Sequence, residues 1–521
     1  MHRLGPTRRS DRYQGKYRGL SESVHSGARS ATAIGLGLGA GVIAAASLPP
    51  VGLWPLGILG IAILLVVLED ESRGWRFTIG LAFGLGQFIP GLWWAQHFSL
   101  LGAIALMILE ALFLAFACLA ITPRRGRSLS ALGALVLFEW LRSIWPFGGL
   151  PIGGLALGQV NGPLAAIARL GGSLGVMAAL VIAGAGLRHL LSAAATRRQG
   201  DMSAARRSVL GGAMVVFVTM LILLGLASSP GGAVVGTLRV AAVQGGGPRG
   251  TSAQQTDPAG VTAAHISALT SLPDGTQLTV LPEDVVGLDR PLVGSWQLAD
   301  LKGQAVAHHT FLVAGVTEPV GSTRFLNYVV GINPSGSVAS RVEKVHRVPF
   351  GEYVPFRKFL SHLANFSAVP RDAIAGSGSG VMRLGHYRLG VLISYEVFFA
   401  SRSLPAIHHG AQVLVVPTNT TSYPGTQMPS VELAAARLQA LSCGRDLIQA
   451  SPTGYSAIIS ANGHVVVRSA LSAHQVVSAT IDLRQGSTIY DDTGDLLVLI
   501  LAALALGLGW TRALSRMRPQ S

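Results

Sequence analysis

Long apolar runs separated by short polar or basic connections dominate the chain as far as residue 227, and the pattern then changes. Runs near 31–48, 52–68, 76–96, 100–122, 128–145, 163–191 and 207–227 each approach the roughly 20 apolar residues that carry a helix across a bilayer. Seven spans are therefore expected. The second and fifth are the weakest, because both are short and the fifth contains Glu139 and Arg142. An eighth run, Leu496 to Gly509, lies near the end of the chain.

Between these groups, from about 229 to 493, short β-branched runs alternate with clusters of Gly, Pro, Asp and Ser, the mark of strands divided by turns. Strands are expected at Leu238 to Val243, Leu278 to Leu281, Thr310 to Val316, Asn327 to Ile332, Tyr387 to Ile393, Val413 to Val416, Leu447 to Ala450, Ala457 to Ser460 and Val476 to Ile481. Helices are expected at Ala259 to Leu272, Leu292 to His308 and Pro429 to Cys443. Alternating strands and helices indicate a layered α/β sandwich.

Charge orients this arrangement. Of 521 residues, 50% are apolar and 12% charged, with a formal net charge of +15. The basic residues gather in short clusters between apolar runs and do not interleave with aromatics on a folded surface, which argues against nucleic acid as partner. Lys and Arg in short loops stay on the cytoplasmic side. The clusters at Arg3, Arg8, Arg9, Arg12, Lys16 and Arg18, then Arg73 and Arg76, then Arg124, Arg125 and Arg127, then Arg197, Arg198, Arg206 and Arg207, fall at every second connection. The intervening connections at 47–51, 99–101 and 145–162 carry no Lys or Arg. With Arg512, Arg516 and Arg518 at the end, both termini are expected in the cytoplasm of a bacterium and the α/β domain outside its inner membrane. The expected division is a basic tail 1–30, a membrane domain 31–228, the α/β domain 229–493, an eighth span 494–511 and a tail 512–521.

Only two cysteines occur, Cys118 and Cys443, which supports neither a disulfide framework nor a metal cluster. Three short segments place a charged or nucleophilic residue just past an apolar strand, where open α/β sheets build their sites. They are Leu281-Pro282-Glu283, the stretch from Glu343 to Pro355 that contains Lys344 and Glu352, and Ile393-Ser394-Tyr395-Glu396. A nucleophile, a base and a cation to meet a developing oxyanion are what acyl transfer requires. Other polar features stay open at this stage. Glu139 and Arg142 are either a functional pair or a structural one near a span end, His346 and Arg347 either a solvated loop or a phosphate contact, and Gly245 to Gly247 a turn near the site.

The order Glu283, Lys344, Ser394, with Glu352 eight residues after the lysine in VPFGEYVP, resembles the nitrilase (carbon-nitrogen hydrolase) superfamily and, within it, the apolipoprotein N-acyltransferase branch. The seven-plus-one spans around the α/β domain match that branch too. The resemblance implies an αββα sandwich with Glu283 as general base, Lys344 as oxyanion stabiliser and Ser394 at the nucleophile position, where the family carries cysteine. It implies Glu352 as the second glutamate beside the lysine, and Tyr395 and Glu396 as the motif after the nucleophile. Further departures are Thr420 and Ser422, where the branch usually has an acidic residue and a tryptophan, and Ser442, where a glutamate is common. The implied substrates are a phospholipid acyl donor and a diacylated apolipoprotein acceptor, both delivered among membrane lipids, with no cofactor. Two alternatives remain open: a silent homologue that binds lipid or lipoprotein or assists a partner enzyme, and a membrane-tethered amidohydrolase that passes the acyl group to water.

Overall fold

The computed structural model describes residues 31–196, 202–228, 231–246, 257–362, 365–421, 423 and 425–515. The basic tail 1–30, Arg197, Arg198, Gly247, Ser422, Arg516 and Arg518 lie outside the described residues.

The first seven apolar runs are helices: α1 (Ala31–Ala45), α2 (Pro55–Val67), α3 (Arg73–Leu92), α4 (Leu100–Ala120), α5 (Arg127–Ile144), α6 (Ala168–Thr196) and α7 (Met202–Ala227). Four described segments are long and apolar enough to cross a membrane on their own: Leu100–Ala120, Pro163–Ala194, Ala205–Ala227 and Leu496–Leu514. The others fall short for identifiable reasons. α1 and α2 are short, while α3 and α5 reach 20 and 18 residues but are diluted by Arg76, Gln87 and Pro90, and by Arg127, Glu139 and Arg142.

α6 is broken at Gly171 and Gly172, the latter at φ 58°. A Cβ at Gly172 would lie 2.3 Å from the Tyr490 ring, so the absence of a side chain lets this break receive an aromatic from the α/β domain. Gly172→Ala adds a left-handed backbone cost to that clash. It is expected to lower the melting temperature of the purified protein in detergent, and Tyr490→Leu in the same chain to recover part of the loss; an unchanged melting temperature in Gly172→Ala would contradict this close seating.

The α/β segment runs β1 (Ala233–Gln244), α8 (Pro258–Ala268), β2 (Leu278–Val280), β3 (Val286–Gly287), α9 (Trp296–Ala307), β4 (Phe311–Val320), β5 (Arg324–Ile332), β6 (Val338–Glu343), α10 (Arg357–Leu360), β7 (Asp372–Ile374), β8 (Val381–Leu384), β9 (Tyr387–Val391), α11 (Ala400–His408), β10 (Val413–Pro417), α12 (Met428–Cys443), β11 (Leu447–Ala450), β12 (Ala457–Ile459), β13 (Val465–Arg468), β14 (Gln475–Gln485), α13 (Ile489–Thr493) and α14 (Leu496–Leu514). One sheet has the order β14-β1-β2-β4-β5-β6, with β3 on β4 and β7 on β5; the other has the order β13-β12-β11-β10-β9-β8. β1 pairs antiparallel with β14 and parallel with β2. In the second sheet, β9, β10 and β11 are mutually parallel.

The sheets pack face to face through Val240, Val280, Val313 and Val329 on one side and Leu389, Val391, Val415 and Ile448 on the other. α8 and α9 cover the outer face of the first sheet, with Leu269, Leu298 and Leu301 in that layer. On the second sheet, Leu414 and Val416 face Val431, Leu438 and Leu441 of α12, and this layer is continuous with Ile167 and Leu174 of the helical domain. The result is an αββα sandwich whose α12 layer is shared with the membrane-type helices.

The expected strands fall on β1, β2, β4, β5, β9, β10, β11, β12 and β14. β3, β6, β7, β8 and β13 were not expected; β3 and β7 span only two and three residues, and β6 has a single buried position, Val342. The helix expected from Leu292 starts at Trp296, because the Ser295 hydroxyl accepts from the Leu298 amide and caps it, as Ser commonly does.

Candidate active site

Glu283 stands on the turn that follows β2. That turn lies directly on β4: Gly315 donates to the Pro282 carbonyl at 3.0 Å, and a Cβ at Gly315 would come within 2.5 Å of the Glu283 Cα. The next residue, Asp284, takes φ 55°, a left-handed conformation that Asp tolerates better than most residues. Lys344 follows β6 and is fixed by backbone bonds to Asn327 at 2.9 Å and from Gly376 at 2.8 Å.

These turns bring three expected residues together. Lys344 Nζ donates to Glu283 Oε1 at 2.8 Å and to Glu352 Oε1 at 2.6 Å. Asn327 Nδ2, from β5, reaches the same two oxygens at 2.8 and 3.1 Å, and the Val348 amide donates to Glu352 Oε2 at 2.9 Å. The Lys344 side chain is 1% exposed and that of Glu283 4%. Burial opposes charge on Lys344, but Glu283 and Glu352 outweigh it and hold the ammonium well above the ordinary lysine range. Burial pushes the Glu352 carboxyl up, against the pull of Lys344. The cluster is a buried cation set between two carboxyls, with a carboxamide bridging them.

Ser394 lies just past β9 and opens a short 3-10 turn, Ser394–Phe398, at φ 51°. For a residue other than Gly this costs roughly 1–2 kcal/mol, so the surrounding bonds must enforce it. Glu396 supplies them. Its Oε2 accepts from the Ile393 amide at 2.8 Å and from Arg402 Nε at 3.2 Å, and its Oε1 accepts from the Val345 and His346 amides at 2.7 and 3.1 Å. Glu396 thus ties the turn that carries Ser394 to the residues immediately after Lys344. The hydroxyl of Tyr395 donates to the Gly149 carbonyl at 2.8 Å, joining the same turn to the loop after α5.

That loop explains Glu139 and Arg142. Arg142, 1% exposed, donates to Glu139 Oε1 and Oε2 at 2.6 and 2.7 Å and to Glu110 Oε2 at 3.2 Å. It also donates to the Leu150 and Ile152 carbonyls at 2.6 and 3.3 Å. The pair is therefore part of a buried three-member network that holds the loop on which Tyr395 rests. His346 and Arg347 also have protein partners: His346 stacks on Phe399 with centroids 4.4 Å apart, and Arg347 donates to the Ala373 carbonyl at 2.8 Å. Gly246 donates to the Pro452 carbonyl at 2.9 Å, a backbone tie at the turn that follows β1. Cys118 and Cys443 are free and buried.

Three polar residues of this region were not singled out from the sequence. Asn327 left a signal, being a poor strand former inside an otherwise apolar β5. Asp284 is joined at Oδ2 by Asn419 Nδ2 at 3.3 Å, and burial with the charge of Glu283 pushes its carboxyl up to about 7. Glu432 of α12 accepts from the Thr418 hydroxyl, and burial pushes it up to about 7 as well.

Comparison with known proteins places this geometry in context. Residues 40–186 match the model of the apolipoprotein N-acyltransferase N-terminal domain and residues 239–490 that of carbon-nitrogen hydrolases. The apolipoprotein N-acyltransferase of Mycolicibacterium smegmatis is 30% identical over 512 residues, covering 90% of this chain and 83% of that protein. The protein of the same name from Allorhizobium ampelinum is 28% identical, covering 86% and 89%. Among solved structures, an amidase from Nesterenkonia sp. is similar at 20% identity and a TM-score of 0.34, covering 49% of this chain and 94% of its own. Both domain matches occur in order on one chain, and relatives of one name align along nearly its full length: the protein belongs to the apolipoprotein N-acyltransferase family.

Proposed function

We propose that the protein is a multi-pass enzyme of the bacterial inner membrane that moves an acyl chain from a phospholipid to the α-amine of a diacylglyceryl-modified N-terminal cysteine on a lipoprotein. The observation that carries this reading is the buried Glu283–Lys344–Glu352 cluster within a chain similar to apolipoprotein N-acyltransferases over 90% of its length. In this reading α1 to α7 and α14 are eight spans, and the sheets lie outside the cytoplasm in a domain from about 229 to 493. Basic clusters at Arg73 and Arg76, at Arg124, Arg125 and Arg127, at Arg206 and Arg207, and at Arg512 support that orientation, since they occupy every second connection and basic loops stay in the cytoplasm.

The chemistry follows from the residues. Ser394 Oγ attacks the donor ester carbonyl while Glu283 takes the hydroxyl proton, and Lys344 faces the oxyanion as it forms. Collapse breaks the donor ester bond, and Glu283 returns the proton to the departing lysophospholipid alkoxide. The acyl chain then rests on Ser394 as an ester until the acceptor amine attacks. A serine hydroxyl ionises far less readily than a thiol with a reference pKa near about 8.5. Its proton must therefore leave as the new bond forms, which requires a base already in place. Glu352 holds Lys344 from the other side, and Tyr395 and Glu396 keep the Ser394 turn in its left-handed form.

The test is to incubate purified protein with phospholipid and a diacylated lipopeptide, comparing wild type with Ser394→Ala and Ser394→Cys. Acyl transfer by wild type that vanishes in Ser394→Ala is the expected result. Transfer by Ser394→Cys alone would mean that the natural chain is a silent homologue on an intact scaffold. Release of free fatty acid without N-acylated peptide would favour water as the acceptor.

A further inference from the structure

We infer that Asp284 is a second proton-handling residue of this site, the carboxylate that takes the first proton from an incoming primary ammonium acceptor. The inference rests on the acyltransferase reading above and concerns its second half-reaction. An amine arrives at neutral pH as R–NH3+, which cannot attack. Two protons must leave its nitrogen before an amide is complete, and Glu283 can hold only one of them at a time.

Three observations single out Asp284. It follows Glu283 on the same turn and takes a left-handed φ of 55°. Its Oδ2 is joined by Asn419 Nδ2 at 3.3 Å, and Asn419 follows β10, the parallel neighbour of the strand that leads to Ser394. Asp284 therefore bridges the two sheets between the turn bearing Glu283 and the rim bearing Ser394. Among the described residues its Oδ1 is buried without a hydrogen-bond partner, as is the hydroxyl of Thr420 beside Asn419. A lone buried acceptor is costly, so this oxygen is placed to take an incoming N–H donor.

The charged and titratable groups facing Asp284 are Glu283 on its own turn, Lys344 after β6 and Glu352 in the following loop. Glu432 of α12 and Tyr423 lie beyond the Asn419 rim and feel Glu283 and Lys344 as well. Burial first, and then the charges of Glu283 and Glu352 against that of Lys344, favour keeping a proton on Asp284, whose carboxyl is pushed up to about 7. It can therefore accept and release a proton near neutrality.

The ammonium N–H breaks and an O–H forms on Asp284, freeing the nitrogen lone pair. The amine attacks the Ser394 ester carbonyl and its second proton passes to Glu283. The carbon–Oγ bond breaks and Glu283 delivers that proton to Ser394 Oγ, leaving an amide, a free serine and a protonated Asp284 that returns its proton to solvent.

The experiment separates the halves on the full-length protein. Lysophospholipid released without acceptor reports acyl-enzyme formation, and N-acylated lipopeptide reports transfer. With wild type, transfer is expected to fall as pH drops through about 7, as Asp284 becomes protonated. Asp284→Asn is expected to keep the lysophospholipid burst, to slow transfer on the order of 100-fold and to move the acidic limb up to the titration of the free amine itself, near about 7.7–8.0, with Asp284→Glu recovering part of the rate. Transfer by Asp284→Asn at wild-type rate with an unchanged pH profile would overturn the inference. So would equal loss of burst and transfer in both variants, which marks a structural role. If wild type itself releases no lysophospholipid, the acyltransferase reading fails first, and this inference with it.

Discussion

Glu283→Gln is expected to reduce both lysophospholipid release and N-acylation by roughly three orders of magnitude, the middle of what a general base contributes. Gln keeps the shape and can still accept a hydrogen bond from Lys344 and Asn327 through its carbonyl oxygen. The variant therefore removes proton transfer with little change in packing. Lys344 keeps Glu352 at 2.6 Å as a counter-charge, so no buried cation is stranded. Lys344→Met is the opposite case: it leaves Glu283 and Glu352 facing each other in a dry pocket, and its loss of activity mixes chemistry with misfolding. Melting curves in detergent distinguish the two variants. A Glu283→Gln protein that melts normally and still transfers acyl chains within a few-fold of wild type would remove Glu283 from the role of base.

The second large effect lies away from the sheets. Arg142→Met is expected to destabilise the protein by about 3–5 kcal/mol, the usual result of stripping one partner from a buried ionic network. Glu110 and Glu139 lose their cation, and the Leu150 and Ile152 carbonyls lose a donor. The loop that receives the Tyr395 hydroxyl at Gly149 then loosens. Activity should therefore fall further than the folded fraction does. The combined variant Glu110→Gln, Glu139→Gln and Arg142→Met removes all three charges and should regain much of the melting temperature without regaining full activity. A single Arg142→Met protein that melts and works like wild type would show that the network does not hold the loop.

How much of this was legible in the sequence depended on whether the deciding interactions were local. The apolar runs became helices because length and composition decide that question. The nine expected strands were found because each is a β-branched run with its own turn signals. β6 and β7 were not, since short strands with exposed polar positions have no apolar period to read, and β13 is only four residues long with Val466 exposed. Glu283, Lys344 and Glu352 were singled out because their order and spacing resemble the nitrilase superfamily, and the structure joins them through 2.6 and 2.8 Å contacts. Asp284 was passed over because an acidic residue in a turn is ordinary; only its bond to Asn419, far along the chain, makes it notable. Likewise Glu110 sits in α4 with no local sign of Arg142. The sequence-based choice between a functional and a structural Glu139–Arg142 pair was set by a third partner that spacing cannot supply.

The packing of α14 carries a consequence for biogenesis. This last helix lies against α5, close enough that a Cβ on Gly133 would fall 2.3 Å from the Ala502 carbonyl and one on Gly126 2.2 Å from that of Gly509. α5 therefore waits through synthesis of the entire sandwich before its neighbour exists. In the interval its small-residue groove lacks the helix that fills it. Premature termination anywhere in the sandwich therefore leaves the amino-terminal helices incomplete as well, so a nonsense codon late in the gene is read out early in the bundle.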